Sequence, residues 1–119
     1  MGNPVIHFEV TGKDGPALVS FYEKLFGWKT SAVEGMGYAL VEKEGDGIAG
    51  GIGTSQDGTT SVTFYVAVDD PQAALDKAES LGGKTVLPLM TIPDMVTLGL
   101  FSDLEGNVVG VVANQPPGA

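Results

Sequence analysis

The chain has 119 residues, with 15 acidic side chains against six basic ones and a net charge of −9. All six are lysines, so no guanidinium is available to clamp a phosphate or carboxylate, and nucleic acid and strongly anionic ligands are disfavoured as partners. Without cysteine, disulfides and thiolate-held metals are excluded, and no apolar run approaches the roughly 20 residues of a spanning helix, so a cytoplasmic protein of one domain without membrane partners is expected.

The first residues lack the basic-then-apolar pattern of a secretory leader. Val5–Val10 alternates as a strand, with His7 and Glu9 on one face and Ile6, Phe8 and Val10 on the other. Asp14 to Thr30 reads as a complete helix with its stops. Asp14 caps it, Pro16 suits the first turn, and Gly27 ends it in a left-handed conformation. Leu18, Phe21, Tyr22, Leu25 and Phe26 follow helical spacing and predict one buried stripe. A short extended stretch to Ala32 follows, then a turn at Gly35–Gly37 and a strand over Tyr38–Glu42. Lys43–Gly47 is a hairpin turn. In Ile48–Ile52, the pair Gly50-Gly51 predicts close backbone approach or a bulge. The Gly-rich stretch Gly45–Gly58 has neither the Lys-Ser/Thr of a phosphate loop nor a helix after it, so nucleotide binding is not expected.

After the polar link Gly53–Ser61 the same order returns. Val62–Val68 predicts a strand and Asp70–Leu81 a helix with the same capping Asp, early Pro and Gly stop. Lys84–Leu87 predicts a short strand. The two prolines and two methionines of Pro88–Met95 predict a loop or lid, with Met90 and Met95 either adaptable contacts or core filling. Val96–Ser102 and Val108–Ala113 predict the last strands, joined by a tight turn at Asp103–Asn107 where Gly106 and Asn107 tolerate positive φ. Asn114–Ala119, with Pro116-Pro117, predicts a disordered tail. The chain is thus a single domain of two βαβββ modules, about residues 4–53 and 62–113, followed by the tail 114–119.

His7-Phe8-Glu9-Val10, the string Phe21-Tyr22-Glu23-Lys24-Leu25-Phe26-Gly27-Trp28, Gly50-Gly51-Ile52, Val68-Asp69-Asp70-Pro71 and the turn Asp103-Leu104-Glu105-Gly106-Asn107 together resemble the vicinal-oxygen-chelate superfamily. That superfamily contains glyoxalase I, extradiol dioxygenases and the fosfomycin and bleomycin resistance proteins. Leu104 stands where a proline is usual. The resemblance implies an α+β fold of two tandem βαβββ modules with curled mixed sheets, and a homodimer whose clefts draw on both subunits. It also implies metal positions. His7, seven residues before Asp14, matches the first ligand. Its second-half counterpart is Thr63, or Val62 with a one-residue shift, and the position of the last Glu is Gly110. The Glu that glyoxalases carry near the end of the first module falls within Ile48–Gly53, which has no acid.

One imidazole cannot hold a first-row metal usefully, so no metal or other cofactor is expected. His7 and Glu9, on one strand face, are the candidates for acid–base work. Strand parity puts Thr63 with Tyr65. His7, Glu9, Thr63, Tyr65, Tyr38 and Phe101 are the candidate ligand contacts, with Trp28 and Phe101 also readable as ordinary core. The expected function is metal-free binding of a small neutral or cationic, aromatic molecule by a homodimer. Two alternatives stay open: an enzyme of the superfamily, glyoxalase-, dioxygenase- or isomerase-like, using a degenerate metal site or His7 and Glu9; and a structural or regulatory dimer without ligand.

Overall fold

The computed structural model describes residues 2–114. The predicted tail beyond Asn114 lies outside the described residues. Ten elements run in the order β1 Val5–Gly12, α1 Gly15–Phe26, β2 Thr30–Val33, β3 Tyr38–Val41, β4 Ala49–Thr54, β5 Ser61–Val68, α2 Pro71–Ser80, β6 Lys84–Ile92, β7 Val96–Ser102 and β8 Val108–Ala113. The expected α+β chain with β-α-β-β-β repeated twice is therefore observed. None of the described helices is long and apolar enough to cross a membrane. The chain forms two compact units, His7–Thr63 and Met1–Ile6 with Phe64–Ala119.

In the first unit the strand order is β2-β3-β4-β1. The hairpins β2–β3 and β3–β4 are antiparallel, and β1 lies parallel to β4 with Glu9 opposite Gly51. Ala39, Val41 and Ile52 are its buried apolar side chains. The ends of α1 are locally encoded: the Asp14 carboxylate accepts from Ala17 N–H at 3.0 Å, and Gly27 takes φ 72°, the left-handed value that a Cβ disfavours. The predicted buried stripe of α1 is corrected. Phe21, Leu25 and Phe26 are 57%, 57% and 58% exposed. Of the same stripe, Tyr22 stacks on Trp28 at 5.3 Å and Phe26 lies 5.2 Å from it, and Trp28 in turn lies 5.2 Å from the ring of Phe8.

The second unit repeats this plan in the order β6-β7-β8-β5, with β7 antiparallel to β6 and β8 and with β5 parallel to β8. Its sheet has two apolar faces. Tyr65, Ala67 and Val112 pack with Val96, Leu98 and Leu100. Val68 and Val111 pack with Leu75 of α2, together with Val66, Ala74, Leu89 and Phe101. Asp70 caps α2 through Ala73 N–H, and past the C-cap Leu81 the expected glycine stop is Gly82, with φ 103°. The loop expected over Pro88–Met95 is also corrected, because β6 continues to Ile92. Proline removes one donor from a ladder, which an edge strand tolerates. β6 is that edge, and its pairing with β7 slips in register on either side of Leu87. In the Asp103–Asn107 turn, Asp103 accepts from Glu105 N–H, Asn107 N–H and the Asn107 amide, and Gly106 alone of the two residues expected to do so has positive φ.

Candidate functional site

The site is organised by what β4 lacks. Its stretch Gly50-Gly51-Ile52-Gly53 has no side chain at 51 or 53, which share a strand face. Tyr38 stands opposite Gly53 on the neighbouring strand β3. With nothing on β4 to block it, the Tyr38 ring lies across that strand. A Cβ placed on Gly51 would fall inside the phenol, and one on Gly53 would come 2.7 Å from the ring. Having crossed β4, the hydroxyl reaches β1, where it donates to Glu9 Oε2 at 3.1 Å and lies 2.9 Å from His7 Nε2. On the other face of β4, Gly50 gives the same kind of room to the ring of Phe8. The close approach predicted from Gly50-Gly51 is thus an approach of two aromatic rings; the β1 and β3 pairings run through both glycines without a bulge.

His7, Glu9 and Tyr38 are all half-buried. Burial holds the His7 pKa below its ordinary value, because a charged imidazolium loses hydration there. The imidazole is therefore neutral at neutral pH. The phenol of Tyr38 joins the two residues of this shared face as a hydrogen-bond bridge. Sequence reasoning singled out all three residues but not this bridge. The available signal was a strand with alternating small residues beside a tyrosine.

Thr63 and Tyr65 do share one face of β5, 9% and 7% exposed. Tyr65 stands opposite Gly110, where a Cβ would fall inside its ring, and it belongs to the apolar cluster with Ala67 and Val112. Phe101 packs with Leu75 of α2, in the other apolar cluster of that unit. A groove of about 770 Å³ opens beside the start of α1, lined by Val10, Lys13, Leu18, Phe21 and Val62 among others, but not by His7, Glu9 or Tyr38.

The donors do not fit the divalent metal of the resembled superfamily. Tyr38 joins His7 to a single carboxylate, that of Glu9, and among the described residues no group of three or more His, Cys, Asp or Glu could hold a metal. At Gly51 and Gly110, the two register-equivalent positions, there is no donor, and the space a longer side chain would need is taken by a tyrosine ring.

Comparison with known proteins agrees with this architecture. Over 115 residues the chain is 31% identical to "Putative glyoxylase CFP32" of Mycobacterium bovis and to the protein of the same name in Mycobacterium tuberculosis. The match covers 89% of this chain and 44% of the relatives, so the chain spans less than half the length of the curated relatives it matches. Among solved structures, methylmalonyl-CoA epimerase from Mycobacterium tuberculosis superposes with a TM-score of 0.68 at 14% identity, covering 94% of this chain and 88% of that one. The Mn(II)-bound glyoxalase from Novosphingobium aromaticivorans superposes with a TM-score of 0.67 at 17% identity, covering 98% and 40%. At such identities these two establish the fold alone. Residues 5–111 match the Glyoxalase/Bleomycin resistance protein/Dioxygenase superfamily as a whole, and the chain belongs to that superfamily.

Proposed function

We propose that the protein is a metal-free small-molecule-binding member of its superfamily, with His7, Glu9 and Tyr38 as the polar contacts of a site for a neutral or cationic aromatic ligand. The observation that carries this reading is the phenol of Tyr38 in the space above Gly51, where a second carboxylate ligand would have to stand. Charge supports the ligand class. The cluster combines a carboxylate with a neutral imidazole, and the chain has no arginine to pair with an anion. Burying an anionic group there without a partner costs several kcal/mol, on the order of the penalty for any unpaired buried charge. A homodimer completes the reading. The exposed Phe21, Leu25 and Phe26 of α1 are apolar surface of the kind a partner covers, and sedimentation equilibrium should give twice 12.2 kDa.

The test has two arms. Elemental analysis followed by titration with Zn²⁺, Ni²⁺, Mn²⁺ and Fe²⁺ should find no stoichiometric metal; close to one ion per chain, lost in His7→Ala, would overturn the proposal. Thermal-shift screening of matched anionic, neutral and cationic aromatics should be led by cationic and neutral compounds, and Glu9→Gln should erase the preference for cations. Stabilisation led by anions would overturn the ligand class.

A second reading, an enzyme with His7 and Glu9 as base and acid, is favoured by the hydrogen-bond chain that joins them through Tyr38. Chemical change of a bound compound, abolished in both His7→Ala and Glu9→Gln, would separate it from simple binding.

A further inference from the structure

The groove beside the start of α1 and the exposed apolar side chains belong to one helix. Leu18, Phe21 and Leu25, spaced i, i+3 and i+7, form a continuous stripe. Leu18 and Phe21 line the groove, and Leu25 projects beyond it. Small residues make the room: Ala17, and Gly12, where a Cβ would stand 3.1 Å from a methyl of Leu18. Val10 and the exposed Val62 complete the apolar walls. The polar groups of this region are already engaged. Thr11 and Ser61 meet hydroxyl to hydroxyl at 2.8 Å, Ala17 N–H is spent on Asp14, Gly15 N–H on the Thr54 hydroxyl, and Pro16 has no N–H to give. Lys13, the one cation of the lining, stands beside Asp14. Nothing here selects an anion, so an apolar occupant fits the groove best. Charge favours a copy of the same chain. From Lys13 to Phe26 the lysines Lys13 and Lys24 balance the acids Asp14 and Glu23, although the whole chain carries −9. Two copies meeting along α1 are thus spared the repulsion that the overall charge would bring.

We propose that a second copy of this chain covers the groove, with the two α1 helices antiparallel about a two-fold axis near Leu18 and Phe21. This interface rests on the homodimer reading above and gives it a location. Knob and hole lie at opposite ends of one helix: Leu25 is in its last turn, and the groove borders its first two. At about 1.5 Å per residue, Leu25 and Asp14 stand roughly 8 Å to either side of the axis, so the two-fold brings the last turn of each copy over the groove of the other. Leu25 of one copy then faces Val62 of the other, and the contact occurs twice, as an isologous interface requires. Lys13-Asp14 at one end of the helix meets Glu23-Lys24 at the other, two neutral pairs. A small ligand in the groove would leave Leu25 in water; a second copy covers both.

Sedimentation equilibrium of charge variants tests the arrangement. Leu25 and Val62 are 57% and 77% exposed, so Leu25→Lys and Val62→Glu keep the fold, which circular dichroism checks. Each variant alone should raise the dimer dissociation constant about tenfold or more, because it places an unpaired charge in an apolar contact. Leu81→Glu, at a 67% exposed position beyond α2, should leave it unchanged. Mixing Leu25→Lys with Val62→Glu should restore a dimer, since the new lysine of one chain then faces the new glutamate of the other. A wild-type dimer indifferent to both substitutions, or a mixture that stays monomeric, would overturn this interface while the homodimer reading stands. A monomeric wild type would overturn both. Octanoate raising the melting temperature of that monomer, but not of Val62→Glu, would assign the groove to a small amphiphile instead.

Discussion

The two units use the same register for different ends. Glu9 stands opposite Gly51 on β4, and Tyr65, its counterpart in the repeat, stands opposite Gly110 on β8. In both places a missing side chain is filled by a tyrosine ring. In the second unit that tyrosine belongs to β5 itself and packs with Ala67, Val112, Leu98 and Leu100. In the first it comes from β3, crosses a bare strand and ends between a histidine and a carboxylate. One glycine is used to pack a core and the other to assemble a polar cluster. A repeated backbone therefore fixes the paired positions, while the side chains that fill them differ between the two units.

The largest expected effect sets the two tyrosines against each other. Tyr65→Ala empties a buried position and should cost about 3–5 kcal/mol, as large aromatic truncations in cores do. Tyr38→Ala removes a half-buried ring with its hydroxyl bonds and should cost about 1–2 kcal/mol. Urea denaturation of both variants checks the ranking, and equal losses would mean that the first unit is as much a core as the second.

The glycines sharpen the contrast. Gly110→Ala drives a methyl into the buried ring of Tyr65, and about 1–3 kcal/mol of overpacking is expected. Gly51→Ala meets a ring that is half-buried, so Tyr38 turns outward at a cost of about 1 kcal/mol or less and abandons Glu9 and His7. The urea midpoint should move more for Gly110→Ala, whereas the His7 resonances should move only for Gly51→Ala.

The smallest effect is that of pH. The folded state holds the His7 pKa below the 6.5 of an ordinary histidine. Between those two values the unfolded chain binds more protons, so stability that is fully present above pH 6.5 declines as the pH falls through 6.5 toward the folded value. Comparing the urea midpoints of wild type and His7→Gln at about pH 7.5 and about pH 5.5 isolates this contribution, because the variant lacks the titrating group. A wild type that loses no more than His7→Gln would place His7 in a solvated environment like that of the unfolded chain.

Much of this was legible along the chain, and the division follows the range of the forces involved. The ends of α1 are decided within one turn: Asp14 reaches Ala17, and Gly27 adopts a dihedral that the neighbouring residues cannot. The strands alternate because adjacent side chains must point opposite ways, which is why His7 could be grouped with Glu9, and Thr63 with Tyr65, before any pairing was known. Pairing itself is another matter. Pro88 breaks a strand in the interior of a sheet and is tolerated at an edge, and only the order β5-β8-β7-β6 makes β6 an edge. Helical spacing marks the apolar side chains of α1 but not how deeply each is covered, so Tyr22 is half-buried on Trp28 while Phe21, Leu25 and Phe26 remain more than half exposed. The bridge from Tyr38 to His7 and Glu9 spans 31 and 29 residues. It exists because β3, β4 and β1 align three separate stretches of chain so that two glycines pass beneath one phenol, and that alignment is set by long-range strand registers that local spacing does not determine.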